Sequence, residues 1–369
     1  MIDASQDHDR SDVQAAWRQL LEAGHSPEKL YQLPEFFQYL VDMAKPGTPA
    51  CNLHLVRRRS DAKIVALIPG RSATHKIGVR LGPLTLFERA VPVYQVLGSV
   101  LLLDAGEEGL SGFVLKSLLQ RNPDCDALLM QAMPEELAGT TKHKGLSGHV
   151  MHGWRDCHTM PLAADVDTYL QKLSAKKRYN LSRQVRLLAK AAGEVKLVRI
   201  EQVDQVPALL DAMRTVLSDE EFAGQATQAR LEGLARHGLL RSYMLCCGEQ
   251  VVALVVGTCS NEVWHVHNIS LKQEYMSLSV GTSIVHLALQ DTIASGKFIH
   301  ADFGYGTPNQ EFRSTHVLQR RGKLLLCRRH GMANLLLSLH SVQDRLNEGL
   351  SGHVKAFRKW LKSSRRAAG

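Results

Sequence analysis

The sequence predicts an α/β protein built from two halves, and three observations lead to this class. Residues 241–306 contain three short apolar runs separated by polar turns, then a helical pattern, then one more apolar run. Residues 1–160 also alternate between strand-like and helix-like patterns, with comparable strand content. Apolar residues make up 44% of the 369 positions, which is enough to form packed cores in a chain of this length.

The first half alternates helices and strands. Pro27 follows Ser26 and suits the first turn of a helix. Alternating patterns on both sides of residues 59–62 indicate a hairpin. In order, the predicted elements are helices at 11–24 and 27–43, strands at 52–58, 63–69, 78–87 and 91–103, a helix at 109–121, and strands at 126–132 and 150–161.

A change of pattern at Ala164 begins the second half. Apolar residues recur every three or four positions as far as Leu188, which predicts one long helix with a basic stripe on its opposite side. Lys177 and Arg178 fall at the margins of the apolar face, where each meets either an anion or a structural partner. The later predicted elements are helices at 206–217, 225–237, 280–295 and 331–346, and strands at 242–247, 251–258, 263–269, 298–303 and 323–329.

The net charge of +9 is concentrated in two segments. Residues 169–193 carry seven Lys or Arg and no acidic residue, and residues 349–369 carry six and none. Because the remainder of the chain is slightly acidic, the composition predicts two local positive surfaces and no specific DNA binding. The second segment is weakly amphipathic, so a solvated terminal helix and contact with an acidic partner or membrane surface both stay open.

The composition also indicates where in the cell the protein is expected. The seven cysteines are scattered without a CxxC spacing, so neither a metal site nor a disulfide framework is predicted. No apolar run approaches the roughly 20 residues of a membrane-spanning helix. The polar first eleven residues do not resemble a secretory signal. We therefore expect a cytoplasmic protein.

The predicted helix at 280–295 begins just after the three-strand meander, which places free backbone N–H groups beside a strand end. Such groups suit a phosphate or pyrophosphate. The residues in this first turn are Ser279, Val280, Gly281 and Thr282.

Two histidines and an aspartate form the other candidate cluster. His265 and His267 are separated by one residue on a predicted strand, so both point to the same face. Asp302 ends the next predicted strand, where it is either the start of an Asx turn to Gly304 or a catalytic carboxylate.

Three stretches of sequence resemble one family. The run 169–181 (YLQKLSAKKRYNL) resembles the segment that opens the acyltransferase domain of CelD-like proteins. The Asp302-Phe303 pair, with Gly306 and then Arg313, resembles the DF..G…YK.R motif of that family, and residues 126–134 (DALLMQAMP) resemble a strand of its first half. The resemblance runs from about residue 28 to 330. CelD-like proteins belong to the GNAT superfamily and are related to the FemAB aminoacyltransferases.

This resemblance implies a fold and a reaction. It implies two GNAT-like lobes, each a mixed, mostly antiparallel sheet flanked by helices, with strands that splay where a donor's pantetheine arm enters. The lobes would be residues 1–160 and a catalytic domain at 161–330, followed by a basic helical extension at 331–369. The reaction would move an acyl group from acetyl-CoA, another acyl-CoA or the phosphopantetheine of an acyl-carrier protein to an amine or hydroxyl, without a metal. The acceptor would be a small molecule or glycan in polysaccharide or cell-envelope biosynthesis.

Direct acyl transfer needs residues that hold the donor, a polarised thioester carbonyl and a base, and these needs suggest roles for residues. Tyr305, Glu311 and Arg313 would bind the acceptor or return a proton to the thiolate. In place of two glycines in the usual phosphate loop, residues 275–281 keep Gly281 and have Ser279. The catalytic set would be His265, His267, Asp302 and Tyr305, and the donor would be held by Ser279, Val280, Gly281, Thr282, Lys177 and Arg178.

Two alternatives stay open at this point. The basic stripe of residues 169–193 would suit transfer of an amino acid from tRNA, as in FemAB-like enzymes. The missing glycine at position 279 would suit a catalytically silent scaffold of a polysaccharide secretion complex. The basic segment at 349–369 would then touch either an acidic carrier protein or a membrane surface.

Overall fold

The computed structural model describes residues 1–23, 30–81, 84–103, 109–223, 227–305, 312 and 316–343. These residues form two compact units. The first takes in the described parts of 1–24, 49–155 and 321–343, and the second those of 25–48 and 156–320. The basic segment predicted at 349–369 lies outside the described residues. The division of the chain at residues 160 and 330 stays a prediction.

The secondary structure alternates helices and strands throughout. The helices are α1 (Ser11–Ala23), α2 (Pro34–Asp42), α3 (Leu110–Arg121), α4 (Val166–Lys172), α5 (Ala175–Ala192), α6 (Val206–Val216), α7 (Asp219–Ala223), α8 (Gln228–Arg236), α9 (Val280–Ala294) and α10 (332–343). The strands are β1 (Ile2–Asp3), β2 (Cys51–Arg57), β3 (Ile64–Leu81), β4 (Leu84–Val96), β5 (Leu101–Leu102), β6 (Ala127–Pro134), β7 (Leu146–Pro161), β8 (Val195–Ile200), β9 (Ser242–Cys247), β10 (Gln250–Cys259), β11 (Val263–Leu271), β12 (His300–Tyr305) and β13 (Val317–Arg328). Within the described ranges, no helix is both long and apolar enough to cross a membrane.

The sheet of the first unit has the order β1-β2-β3-β4-β6-β13-β7. The β4–β6 pair is parallel, and the pairs β2–β3, β3–β4 and β6–β13 are antiparallel. Alternate residues of β6 and β13 point to opposite faces. Leu128 and Leu326 pack with α3 on one face, whereas Leu129 and Leu325 pack with α10 on the other. The period-2 pattern of these strands therefore lets both helices cover the sheet.

The sheet of the second unit has the order β7-β12-β11-β10-β9-β8. Its pairs are antiparallel except β11–β12, which is parallel. Helices α5 and α9 pack on one face through Leu181, Leu188 and Ile284. Helix α6 packs against β10, α8 packs against α6, and α2 packs against α8. The predicted meander, the helix that follows it and the mostly antiparallel α/β fold are confirmed.

The prediction of a single long helix from residue 164 is wrong, because two non-helical residues, Leu173 and Ser174, separate α4 from α5. Ser174 has an extended backbone and its Oγ accepts a hydrogen bond from the Lys177 N–H at 3.3 Å, so it caps the start of α5. Helix α4 ends just before it and is closed by Arg178, whose Nη1 donates to the carbonyl oxygens of Leu173 at 2.7 Å and Leu170 at 3.2 Å. Helical periodicity continues across the break, so apolar spacing alone did not reveal it.

Helix α9 contains a buried histidine that should make folding sensitive to acid. The His286 Nδ1 lies 3.3 Å from the Tyr169 hydroxyl oxygen, and desolvation lowers the pKa of His286 to about 4 from 6.5. Between these values the unfolded chain takes up a proton that the folded chain resists, so stability falls as the pH falls. At pH 5 the cost is about 2 kcal/mol relative to neutral pH.

We expect His286→Met to flatten this pH dependence. The measurement is the free energy of unfolding at pH 7 and pH 5 for both proteins. His330→Met, which changes an exposed histidine, is the control and should keep the wild-type slope. An unchanged slope for His286→Met would show that other groups carry the acid sensitivity.

Candidate functional site

The site is centred on the splay between β11 and β12. The two strands pair only at Val263–His300, Trp264–Ala301 and His265–Asp302. Beyond these pairs β11 continues to Leu271 and β12 to Tyr305, with no further pairing between them in the described residues. One edge of β11 therefore offers backbone groups with which an extended ligand can pair.

Asp302 explains where β12 turns away. Its Oδ1 accepts a hydrogen bond from the Gly304 N–H at 2.8 Å, and Gly304 has a φ of +64° that favours glycine. The pairing of β12 with β7 also shifts register between Asp302 and Tyr305. The Asx turn left open by the sequence is thus present, and it uses only one of the two carboxylate oxygens.

The other oxygen of Asp302 faces His265. Asp302 Oδ2 lies 3.8 Å from His265 Nδ1, an ion-pair distance that is too long for a hydrogen bond. Both residues are buried, with 3% and 5% of their surface exposed. His265 Nε2 has no hydrogen-bond partner among the described residues. This nitrogen is a buried group that can accept or donate a proton, on the far side of the ring from a carboxylate.

His267 differs from His265 although the two share a face. Its Nε2 lies 2.7 Å from Thr258 Oγ1, so the ring is already engaged. Desolvation, with added repulsion from His265 and Arg230, lowers the pKa of His267 to about 4. The ring is on an exposed residue, yet it stays neutral at physiological pH. The predicted histidine pair thus has one ring nitrogen without a partner and one hydrogen-bonded ring.

Cys157 contacts the Asp302 carboxylate, and Tyr305 is the pairing partner of Cys157. Tyr305 is 41% exposed and pairs with Cys157 of β7. The Cys157 Sγ lies 3.6 Å from Asp302 Oδ1 and is a weak donor to it. The two predicted acceptor-binding residues, Glu311 and Arg313, lie outside the described residues.

The predicted donor end is the N-terminus of α9. Ser279, which precedes this helix, makes no capping hydrogen bond with its side chain, and within the described part of the chain it gives the first-turn N–H groups no side-chain acceptor. Ser279 has a φ of +56° and a ψ of 34°, so it adopts the left-handed conformation that favours glycine. A Cβ on Gly281 would lie 3.1 Å from a Leu271 methyl, so this turn packs closely on the end of β11. Ser279 therefore has a backbone conformation that glycine would adopt without strain.

The residues predicted to bind the donor and those predicted to act as the base lie on opposite faces of the sheet. Trp264 and Val266 pack with α9, so His265 and His267 point away from that helix. The α9 N-terminus adjoins Leu271, six residues along β11 from His265, or about 20 Å of extended strand. A ligand that passes between the splayed strands would reach both groups. The splay therefore connects the two predicted parts of the site.

Lys177 and Arg178 begin α5, which packs against α9 and the 3₁₀ turn Gln273–Leu278. The guanidinium of Arg178 is held by carbonyl oxygens of α4, so its structural role is clear and its role toward phosphate stays a prediction. Of the alternatives that the sequence left for Arg178, the structural partner is present.

A buried polar network was missed by the sequence analysis. Arg241, 2% exposed, donates from Nε to the Tyr243 hydroxyl at 2.7 Å, from Nη1 to Glu201, and from Nη2 to Asp291 Oδ2 at 2.9 Å. The Tyr243 hydroxyl also lies 2.9 Å from Thr292 Oγ1. One available signal was Asp291, the single acidic residue of the apolar helix α9. The network joins β9, α9 and the chain after β8 at the opposite end of α9 from the donor turn.

Residues 175–313 match the acetyltransferase (GNAT) domain family. No curated protein sequence matches the chain. Among solved structures, FemX aligns with 88% of this chain and 96% of its own at 9% identity, with a TM-score of 0.58. A conserved protein of unknown function from Bacteroides thetaiotaomicron aligns with 88% of this chain and 97% of its own at 11% identity, with a TM-score of 0.51.

These likenesses show a shared fold. The matched residues 175–313 contain the parts that build the candidate site, which are β11, β12 and the start of α9. The predicted GNAT resemblance is confirmed as a match of these residues to that domain family.

Proposed function

We propose that this protein transfers an acyl group from a thioester donor to an amine or hydroxyl, with His265 as the general base. The observation that carries the proposal is the unpartnered Nε2 of His265 on a ring backed by Asp302, directly where β11 and β12 part. A general base needs a nitrogen in reach of the acceptor and a group that stabilises the protonated ring.

Residues of this chain fit an acyl-CoA donor. The backbone N–H groups of Val280 and Gly281 would meet the pyrophosphate at the uncapped helix end, with Ser279 and Thr282 beside them. The free edge of β11 would pair with the pantetheine arm. When bound, the donor supplies the acyl group and a thiol leaving group. Lys177 is a further candidate for the phosphates, as the sequence predicted.

Each polar side chain near the splay has a distinct part in this proposal. His265 Nε2 takes the proton of the acceptor amine or hydroxyl. Asp302 Oδ2 stabilises the positive charge that then forms on the ring, while Oδ1 holds the turn at Gly304. His267, neutral and bonded to Thr258, orients the acceptor. The hydroxyl of Tyr305 returns a proton to the departing thiolate.

The acceptor is proposed from the CelD-like motifs of the sequence. We infer a sugar or sugar precursor used in polysaccharide or envelope biosynthesis, with Glu311 and Arg313 as its binding residues. Both acyl-CoA and an acyl-carrier protein present the same phosphopantetheine thioester, so donor binding must be measured with each.

Two substitutions in the donor turn should change acyl-CoA affinity in opposite directions. Gly281→Glu places bulk and negative charge on the phosphate site, and we expect at least about tenfold weaker binding, or 1.4 kcal/mol. Ser279→Gly removes a Cβ from the turn while keeping its left-handed backbone, and we expect tighter binding. Isothermal titration calorimetry with acetyl-CoA, a longer acyl-CoA and acyl-carrier protein measures both effects.

Matched controls exist for both changes. Gly139→Glu puts the same charge at a glycine in the first unit whose added Cβ meets no atom within 4 Å. Ala62→Gly relieves another φ of +56° far along the chain from the donor turn. Neither control should alter donor binding. If the wild-type protein binds none of the three donors, the proposed function is wrong.

A second function is favoured by one observation, the exposed basic side of α4 and α5. Lys172, Lys176, Arg183, Arg186 and Lys190 are all exposed, and α5 contains no acidic residue. Such a surface would suit transfer of an amino acid from aminoacyl-tRNA. Salt-sensitive tRNA binding that is lost in Arg183→Glu/Arg186→Glu, but kept in Arg58→Glu/Lys63→Glu, would support it. Equal binding by both double variants would exclude a specific role for this helix.

A further inference from the structure

Helix α10, in the first unit, has an unusual exposed face. Four of its residues are more than half exposed, and all four are large and apolar: Met332 at 60%, Leu335 at 56%, Leu339 at 52% and Val342 at 54%. The polar residues of this helix, over 332–343, are all buried or half-buried. The spacing of three, four and three residues places these side chains in one continuous stripe along the helix. An outward face of a helix in a water-soluble unit is ordinarily polar, so this stripe needs an explanation.

Specific contacts on the other side of α10 hold the stripe outward. Ala333 and Leu337 are buried in the core between α10 and the sheet. The His340 Nδ1 lies 2.8 Å from the Gly78 carbonyl oxygen, and the His149 Nε2 lies 2.8 Å from Asn334 Oδ1. Rotating the helix to bury the stripe would break these contacts. The outward stripe is therefore part of the folded unit.

The charge of the chain that follows indicates what covers the stripe. Residues 349–369 contain six Lys or Arg and no acidic residue. Apolar side chains followed closely by a cluster of basic residues are the two features by which proteins bind the surface of an anionic bilayer.

A second copy of this chain is a poorer occupant of the stripe. Four half-exposed aliphatic side chains supply well under the roughly 800 Å² that each partner buries in a stable dimer. Pairing two stripes would also bring two basic segments together, and their like charges would repel.

We propose that the α10 stripe binds the surface of anionic lipid bilayers, with Met332, Leu335, Leu339 and Val342 entering the headgroup–acyl boundary, and that the positive charge of residues 349–369 gives the preference for anionic lipid. This surface belongs to the first unit, and the inference does not depend on the proposed acyl transfer. It places the protein at the surface of a membrane.

Vesicle sedimentation of the full-length protein tests this inference. The probes are vesicles of phosphatidylcholine alone and of phosphatidylcholine with phosphatidylglycerol. We expect binding to the anionic vesicles, weaker binding as salt rises, and little binding to the neutral ones. Leu335→Ser/Leu339→Ser should reduce partitioning onto anionic vesicles about tenfold or more, because both side chains lose their apolar contact.

Matched variants separate the stripe from general effects. Phe113→Ser/Leu318→Ser changes two other exposed apolar residues, 56% and 60% exposed, and should bind vesicles as the wild type does. Lys355→Glu/Lys359→Glu tests the basic segment and should lose the preference for anionic lipid. Circular dichroism spectra that match the wild type show that each variant is folded.

Three results would overturn the inference. They are equal binding to neutral and anionic vesicles, unchanged binding of Leu335→Ser/Leu339→Ser, and a concentration-dependent dimer of the wild type that this double variant abolishes. The last result would assign the stripe to a second copy of the chain. Acyl transfer to a water-soluble acceptor is measured separately, so a failure here is distinguishable from a failure of the proposed function.

Discussion

Replacement of His265 by glutamine is expected to lower kcat for acyl transfer about 10²- to 10⁴-fold, the usual contribution of a positioned general base. Glutamine approximates the reach of histidine and keeps a polar group opposite Asp302, but its amide does not take up a proton at neutral pH. Donor affinity should stay near the wild-type value, because the phosphate turn lies about six residues of strand away. The measurement is steady-state transfer to a saturating acceptor, paired with donor titration.

Asp302→Asn tests the carboxylate that faces His265. An asparagine Oδ1 still accepts the Gly304 N–H, so the turn that diverts β12 is kept while the charge facing His265 is lost. We expect a smaller fall in kcat than for His265→Gln and a dependence on pH that differs from that of the wild type. A loss of folding instead of kcat would assign Asp302 to the turn alone.

Loss of any buried histidine can destabilise the unit, so a matched control is needed. His286→Gln removes another 5%-exposed imidazole of the second unit, one carried by α9 on the opposite side of the sheet. Its kcat per folded molecule should equal that of the wild type. If both variants lose activity in proportion to their unfolded fraction, His265 is structural and a different residue must act as the base.

The fold was largely predictable where local pattern determines structure. The meander at 242–271 was read correctly because each strand shows its own apolar run and each turn its own polar residues. The break at Ser174 was not predicted, because the capping hydrogen bond to Lys177 leaves the helical spacing of apolar residues intact. Local signals therefore located elements better than they located breaks between helices.

The candidate site was predictable in part for the same reason. His265 and His267 were placed on one face by strand periodicity, but only the contacts with Thr258 and Asp302 distinguish the two rings. Cys157 reaches Asp302 across 145 residues of sequence through the pairing of β7 with β12, and no local pattern encodes such a contact. Long-range pairing decides which polar residues acquire partners.

The contacts of Arg241 are also long-range and were not predictable from local sequence. Replacement of Arg241 should have the largest effect on stability. Its guanidinium is buried and shared by Tyr243, Glu201 and Asp291. Arg241→Met fills similar space but removes the buried cation that donates to all three partners. Glu201 and Asp291 keep Arg199 as a partner, at 3.2 and 3.3 Å, so we expect a loss of about 2–3 kcal/mol in the free energy of unfolding, from the hydrogen bonds to charged groups that are lost. Chemical denaturation measures the loss, and hydrogen exchange of β9 and α9 amides shows where it falls.

Arg214→Met is the matched control for charge and side-chain length. Arg214 pairs with Asp211 on the exposed side of α6, with 59% and 75% of their side chains exposed, and such pairs contribute at most about 1 kcal/mol. A triple variant, Arg241→Met/Glu201→Leu/Asp291→Leu, should recover part of the lost stability, because it removes the carboxylates together with the buried cation and leaves only the 43%-exposed Arg199 without these partners. If Arg241→Met costs no more than Arg214→Met, water replaces the guanidinium without penalty and the network does not hold β9 to α9.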